Sequence, residues 1–170
     1  MKSFWKMVGV GICGTLLTVA LLPRRADAEH FDMVLRVQSA QGTGEAFMDT
    51  SPPLGGNNPR AVVKAKVGEK VKVVWQLKSG FPHGVMKGVT IHFFVVRQEK
   101  LGQKPVPNPA GPAGIVDNSF VMDFAPKATA SGNLRMTFSE PGNYLVRVQS
   151  EDTHQEHDHE HFSAVDVQVQ

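Results

Sequence analysis

A two-residue alternation of apolar and polar side chains is the feature that most constrains how this chain folds. Eight short runs show this alternation, or a continuous series of β-branched and aromatic residues, and both patterns are typical of strands. Gly, Pro and Asn residues separate the runs, and no segment with helical periodicity is long enough to predict a helix. The predicted strands are residues 31–38, 61–67, 71–78, 90–98, 119–125, 133–139, 144–150 and 162–170.

The last two predicted strands show which of their faces are apolar. In the first of them, Tyr144, Val146 and Val148 share one face, because successive side chains of a strand point to opposite sides. In the second, Val165, Val167 and Val169 form the apolar face, and Phe162 points to the other face. Short strands of this kind, separated by turn residues, predict an all-β fold: an antiparallel Greek-key β-sandwich or barrel of about eight strands.

The first 28 residues have the pattern of an export signal. Two lysines precede the apolar stretch 8–22, and "ADA" (26–28) has small residues at the two positions that a signal peptidase reads. The stretch falls short of the roughly 20 apolar residues that span a bilayer. We expect cleavage after Ala28, a single domain at 29–170, and a periplasmic or secreted protein. A membrane association is expected only if the N-terminal segment is retained.

Charge and cysteine content exclude several classes of function. Residues 1–28 hold four Lys/Arg and one Asp, so residues 29–170 hold 14 basic and 15 acidic residues, a formal charge of −1. This balance predicts no nucleic-acid partner. Cys13 is the only cysteine and lies in the predicted signal, so the domain is expected to have neither a disulfide nor a thiolate ligand.

Two stretches resemble the cupredoxin family of small copper proteins. "VGEKVKVVWQLKSGFPHGV" (67–85) is similar to a plastocyanin strand followed by Gly-Phe-Pro-His, and "MTFSEPGNYLVRV" (136–148) is similar to the strand that leads into the copper-binding loop. The resemblance implies a cupredoxin-like fold, but a blue copper site needs a cysteine and usually a methionine. Val148 stands where the family has its cysteine, and no methionine follows Met136. A blue copper site is therefore not expected.

The resemblance leaves the upstream histidine ligand undecided between two residues. His83 matches the plastocyanin context, and His92 matches the azurin habit of a histidine at the head of an apolar strand. His83 can equally be a surface turn residue, and His92 an imidazole bonded to a backbone carbonyl within its strand.

A histidine- and acid-rich segment stands in place of the family's copper loop. If residues 157–161 are extended, His157, His159 and His161 share one face, with alternate Cα atoms about 6.6–7 Å apart. Two imidazoles at this spacing can converge on one ion, and His154 can add a third nitrogen. Neutral imidazole suits copper, zinc or nickel, and copper has the highest intrinsic affinity. The alternative is a soluble loop or a proton-sensitive patch without metal.

These observations predict an exported metal-binding protein for metal storage, sensing or delivery, with His154, His157, His159 and His161 as the main ligands and His83 or His92 closing the site. The alternative is a metal-free structural or interaction module, such as a periplasmic subunit that binds a protein partner. No catalytic motif is present in the sequence. A copper oxygenase with a terminal His30 is a further alternative, which cleavage after Ala28 disfavours.

Overall fold

The computed structural model describes residues 31–47, 49–51, 60–81, 83–103, 106, 114–151 and 160–170. The predicted signal segment 1–28 lies outside them, so cleavage and export stay predictions. Among the described residues, the structure has no helical segment that could serve as a membrane span. The strands are β1 (Phe31–Ser39), β2 (Gly42–Phe47), β3 (Asp49–Ser51), β4 (Val62–Ala65), β5 (Lys70–Ser79), β6 (Met86–Gln98), β7 (Gly114–Phe124), β8 (Thr129–Thr137), β9 (Gly142–Glu151) and β10 (Glu160–Val169).

The strands form two sheets. Sheet A has the order β2-β1-β5-β8, and sheet B has the order β3-β10-β9-β6-β7. Strand β4 also pairs with β10, beyond the residues that pair with β3, and this is the parallel pairing in otherwise antiparallel sheets. The all-β, mostly antiparallel expectation is therefore confirmed.

Each of the eight predicted strands corresponds to an observed strand, but β2 and β3 were not predicted. The reason for β2 is its sequence, "GTGEAF", which has two glycines and no β-branched series. It forms because the tight turn at Ala40 and Gln41 returns the chain beside β1, where Ser39 pairs with Gly42. Gly44 also lies under Val63, and a Cβ there would approach Val63 Cγ2 to 2.7 Å.

The inner faces of the two sheets share one apolar core. On β5, every second residue from Val71 to Leu77 is buried, and the residues between them are exposed or partly exposed. The predicted apolar faces of β9 and β10 are confirmed, since Tyr144 and Val165 belong to this core with their same-face neighbours. The Ser163 hydroxyl joins the sheets by donating to the Met33 carbonyl over 3.1 Å.

The outer face of sheet B is also buried over parts of β6, β9 and β10, which explains why β9 shows continuous rather than alternating burial. A second, smaller apolar cluster lies there, and partly buried Val106 packs against it. Strands with apolar residues on both faces need cover on both sides of their sheet. The outer cluster consists of Phe94, Val96, Leu145, Phe162 and Ala164.

A buried carboxylate organises the other part of this outer face. Asp166 on β10 is fully buried and lies 2.8 Å from the Arg60 Nε, whose side chain is 12% exposed. Its oxygens also accept hydrogen bonds from Gln98 Nε2 at 2.9 Å and from the Gly102 backbone N–H at 2.6 Å. The network thus fixes the chain before β4 and the turn after β6 against the same strand.

The glutamate of the "VGEK" turn joins two connections at the opposite end of β5 from Ser79. The carboxylate of Glu69 accepts hydrogen bonds from the backbone N–H groups of Ala40, in the β1–β2 turn, and Lys66, in its own turn. These two backbone donors, with smaller contributions from Gln41 and the Lys66 charge, lower the pKa of Glu69 below its ordinary value.

We predict that Asp166→Ala destabilises the protein by about 3–5 kcal/mol, because it leaves the Arg60 charge without its buried counterion. Urea unfolding of the purified variant measures the change. The matched control is Glu45→Ala, which breaks the exposed 2.7 Å pair with Arg36 and should cost about 0–1 kcal/mol. Equal losses in the two variants would contradict the structural role of Asp166.

We also predict a pH-dependent effect of Glu69→Gln. A carboxylate with a lowered folded-state pKa stabilises the fold above the ordinary pKa of 4.5, and this contribution is lost as the pH falls through the folded-state pKa. The variant should therefore be less stable than the wild type at pH 7 and equal to it in strong acid. Urea unfolding across this pH range tests the prediction, and a constant difference would contradict it.

Candidate functional site

One end of the fold holds His83, His92 and His161, together with the strand ends that flank the histidine-rich segment. We call it the histidine end and define it by Phe31, Ser79, Phe124, Glu151 and Glu160, where strands β1, β5, β7, β9 and β10 begin or end. The two sheets meet there, since the ring centroids of Phe31 and Phe124 are 4.8 Å apart and the Ser79 N–H donates to the Ala128 carbonyl over 2.8 Å. The histidine-rich connection between β9 and β10 starts and finishes at this end.

His92 and Glu151 lie together on the outer face of sheet B at the histidine end. His92 Nε2 is 3.3 Å from Glu151 Oε2, with the imidazole side chain 27% and the carboxylate side chain 46% exposed. The contact follows from strand register, because Thr90 of β6 pairs with Glu151 of β9 and His92 pairs with Gln149. An imidazole next to a carboxylate, half-open to solvent, is an arrangement that can bind a metal ion.

Gln149, the next outward residue along β9, holds the Glu151 carboxylate in place. It is buried, and its Nε2 donates to Glu151 Oε1 over 2.7 Å. An ionised carboxylate only accepts hydrogen bonds, so this contact fixes which amide atom is nitrogen. Gln149 Oε1 is then a buried acceptor with no hydrogen-bond partner in the described part of the chain. An acceptor in this state leaves capacity for a donor or a cation at the site.

A buried arginine separates this group from the outer apolar cluster. The Arg147 guanidinium carbon lies 4.0 Å from the ring centroid of Phe162 and 5.3 Å from that of Phe94. The register places Arg147 between Phe94 on β6 and Ala164 on β10, and Phe162 lies opposite the neighbouring outward residue Gln149. Cation–π contacts of a desolvated guanidinium contribute about 2 kcal/mol, so these rings hold a positive charge two residues from Gln149.

His161 lies on the opposite, inner face of the same sheet. It is 1% exposed and pairs across the ladder with Ser150, in the same row of inward positions as Ser163. The structure therefore does not bring His161 and His92 together, because a sheet separates their side chains. It places His161 in the core rather than on the outer surface.

Of the remaining predicted ligands, the structure describes His83 and does not describe the others. His83 is exposed in the connection from β5 to β6, next to Gly84, whose φ of 77° turns the chain. His154, His157 and His159 lie outside the described residues, as does His30. Within the described ranges, no group of three or more His, Cys, Asp or Glu side chains could hold a metal ion.

Three residues of this region were not singled out from the sequence as site residues. Glu151, Gln149 and Arg147 alternate along β9 and therefore share its outer face, as the pattern "RVQSE" shows. That alternation could have indicated them. Their partner His92 could not be deduced, because it depends on the pairing register of β6 with β9.

Comparison with known proteins does not assign a family. No protein-family model matches the chain, and no curated protein matches its sequence. Among solved structures it is similar to the C-terminal domain of wzt, with a TM-score of 0.43 and 8% identity, over 80% of this chain and 70% of that chain. A likeness at this level carries no information on function.

The positions of His161 and His92 predict losses of stability of different size for the same substitution. His161→Ala should destabilise the metal-free protein by about 2–5 kcal/mol, because it removes a large, fully buried side chain. His92→Ala, at a half-open site, should cost less than about 1 kcal/mol. Urea unfolding in the presence of a chelator compares the two, and a larger loss for His92→Ala would contradict this placement.

Proposed function

We propose that this chain is a cupredoxin-like Greek-key β-sandwich that binds a divalent metal ion, with copper favoured, at the histidine end. The proposed role is metal storage, sensing or delivery outside the cytoplasm. The two mostly antiparallel sheets with a shared core are consistent with this architecture. The single observation that carries the proposal is the His92–Glu151 pair at the end where the histidine-rich connection starts and finishes.

The pair suggests how each group acts in the proposed site. Nε2 of His92 faces the carboxylate, so a Glu151 that orients the ring leaves Nδ1 as the nitrogen that binds the metal. Gln149 restricts the carboxylate and keeps it directed at the ring. His154, His157 and His159 supply the further nitrogens in this proposal, and no cysteine or methionine is required of the site.

The same geometry favours His92 over His83 as the upstream ligand. His92 is half-buried on a paired strand and has a carboxylate beside it, whereas His83 is exposed in a connection. Ligands held on strands are positioned better than ligands on connections. His161, buried on the inner face, is given a structural role in the proposal.

A metal-free interaction module is the second candidate, and strand β7 is the observation that favours it. This strand is at the edge of sheet B, and Ile115 and Val121 are 55% and 65% exposed. It contains no lysine or proline, the residues that commonly protect edge strands from pairing with other chains. A protein partner could add a strand there.

We predict one stoichiometric Cu(II) site with a Kd below about 1 μM in calorimetric titration of the protein lacking residues 1–28. His92→Ala should abolish this site, and replacing His154, His157 and His159 together by alanine should do the same. Glu151→Gln should weaken binding by about 10–100-fold, because it removes the group that orients the imidazole.

His83→Ala is the matched control and should leave the affinity unchanged. If His83→Ala abolished binding and His92→Ala did not, the assignment of the upstream ligand would be reversed. Absence of Cu(II), Zn(II) and Ni(II) binding in the unmodified protein would reject the metal-binding function and leave the interaction module.

A further inference from the structure

The outward surface of sheet A concentrates positive charge away from the histidine end. On β5 the inner face is apolar, and the outward positions include Lys70, Lys72 and Lys78, all exposed. Arg135 of β8 and Arg36 of β1 are exposed on the same outward side. Five cations thus face solvent on one sheet of a chain whose residues 29–170 are formally negative.

Two of these cations lie opposite an acidic side chain of a neighbouring strand, and three do not. Arg36 pairs with Glu45 at 2.7 Å, and Lys78 lies opposite Asp32 in the ladder. None of the ion pairs within the described ranges involves the other three, Lys70, Lys72 and Arg135. We call these three residues, with the neighbouring Gln38 and Asn133, the basic face.

The strand register places two of these like charges opposite each other, which lowers the stability of the fold. Lys72 lies directly opposite Arg135 on β8, and its other ladder partner is the neutral Gln38. Like charges in directly opposed positions destabilise an antiparallel pair. An acid at position 72 would suit the fold better, so stability does not explain this arrangement.

We propose that the basic face binds an acidic polysaccharide. Carboxylate groups on successive sugars complement Lys70, Lys72 and Arg135, and the amides of Gln38 and Asn133 can donate to and accept from sugar hydroxyls. An exposed aromatic ring is available on the same side of the sheet: Phe47 of β2 is 69% exposed and pairs with Val34, which pairs in turn with Gln76. Its face can pack on the C–H surface of a sugar ring.

The dimensions suit an extended polymer better than a single ion. Gln76, next to the Phe47 row, is four residues from Lys72 along β5, which is about 13 Å at the rise of a strand. Three strand spacings, each about 4.8 Å, separate β2 from β8. The contacts therefore lie along a diagonal of the sheet longer than one sugar residue.

Other anionic partners fit this surface less well. Three uncompensated cations are few for a nucleic-acid site, whose affinity depends mainly on the number of phosphates that Lys and Arg neutralise. Attraction to an anionic membrane contributes about 1 kcal/mol per Lys or Arg, so three cations bind such a surface weakly without apolar side chains that insert. Phe47 is the exposed large apolar residue on this side of sheet A among the described residues.

Binding of polygalacturonate, a polymer of carboxylated sugars, tests this proposal in calorimetry or biolayer interferometry with a chelator present. The methyl-esterified polymer has the same sugars without the charge and should not bind. The decisive variant is Lys72→Glu, which should weaken binding by about tenfold or more. It should not lower the melting temperature, because Glu at this position lies opposite Arg135.

Lys87→Glu is the matched control, since it makes the same charge change at an exposed position of sheet B and should keep the affinity within about twofold. Unchanged binding by Lys72→Glu, or equal binding of the esterified polymer, would overturn the proposal. So would tighter binding of duplex DNA or of phosphatidylglycerol vesicles than of polygalacturonate at equal salt. The chelator makes the result independent of the proposed metal site.

Discussion

The burial of Asp166 is the constraint on which the outer face of sheet B depends. A carboxylate without exposure to water is tolerated only when charge and hydrogen bonds compensate it, and here Arg60, Gln98 and the Gly102 N–H do so. These partners come from two distant parts of the chain, since Arg60 precedes β4 and the other two lie at the end of β6 and in the turn after it. The hydrogen bonds to this one carboxylate therefore hold the segment before β4 and the turn after β6 against β10. The apolar cluster around Phe94 and Phe162 continues the buried outer face toward the histidine end.

The sequence was sufficient to predict most strands because the apolar residues of their inner faces recur at every second position. The valines of β10 and the inward residues of β5 are examples, since their apolar positions recur every second residue. Strand β2 was missed because its glycines give it no such pattern, and it is stabilised by pairing with β1 and by contact of Gly44 with Val63. Local pattern predicts a strand only where the strand itself carries the apolar face.

The candidate site was predictable to a smaller extent. His92 was singled out by its resemblance to a family ligand, but its contact with Glu151 depends on the register between two strands about 60 residues apart in the chain, which no local pattern reveals. His161 shows the converse. Its place in a series of alternating histidines grouped it with His157 and His159, whereas its strand directs it into the core. Side chains alternate between the two faces of β10, and Phe162 faces outward, so His161 must face the core.

Strand β5 has a consequence for how a family of such proteins could diversify. Its inward residues pack in the core, and its outward lysines carry charge of the basic face. The two sets of positions therefore determine different properties, the stability of the fold and the chemistry of its surface. Substitution of Lys70 or Lys72 leaves the packing of Val71 and Val73 untouched. Substitutions at these outward positions can therefore change the charge of this sheet surface, and even reverse its sign, without altering the packing of the core beneath it.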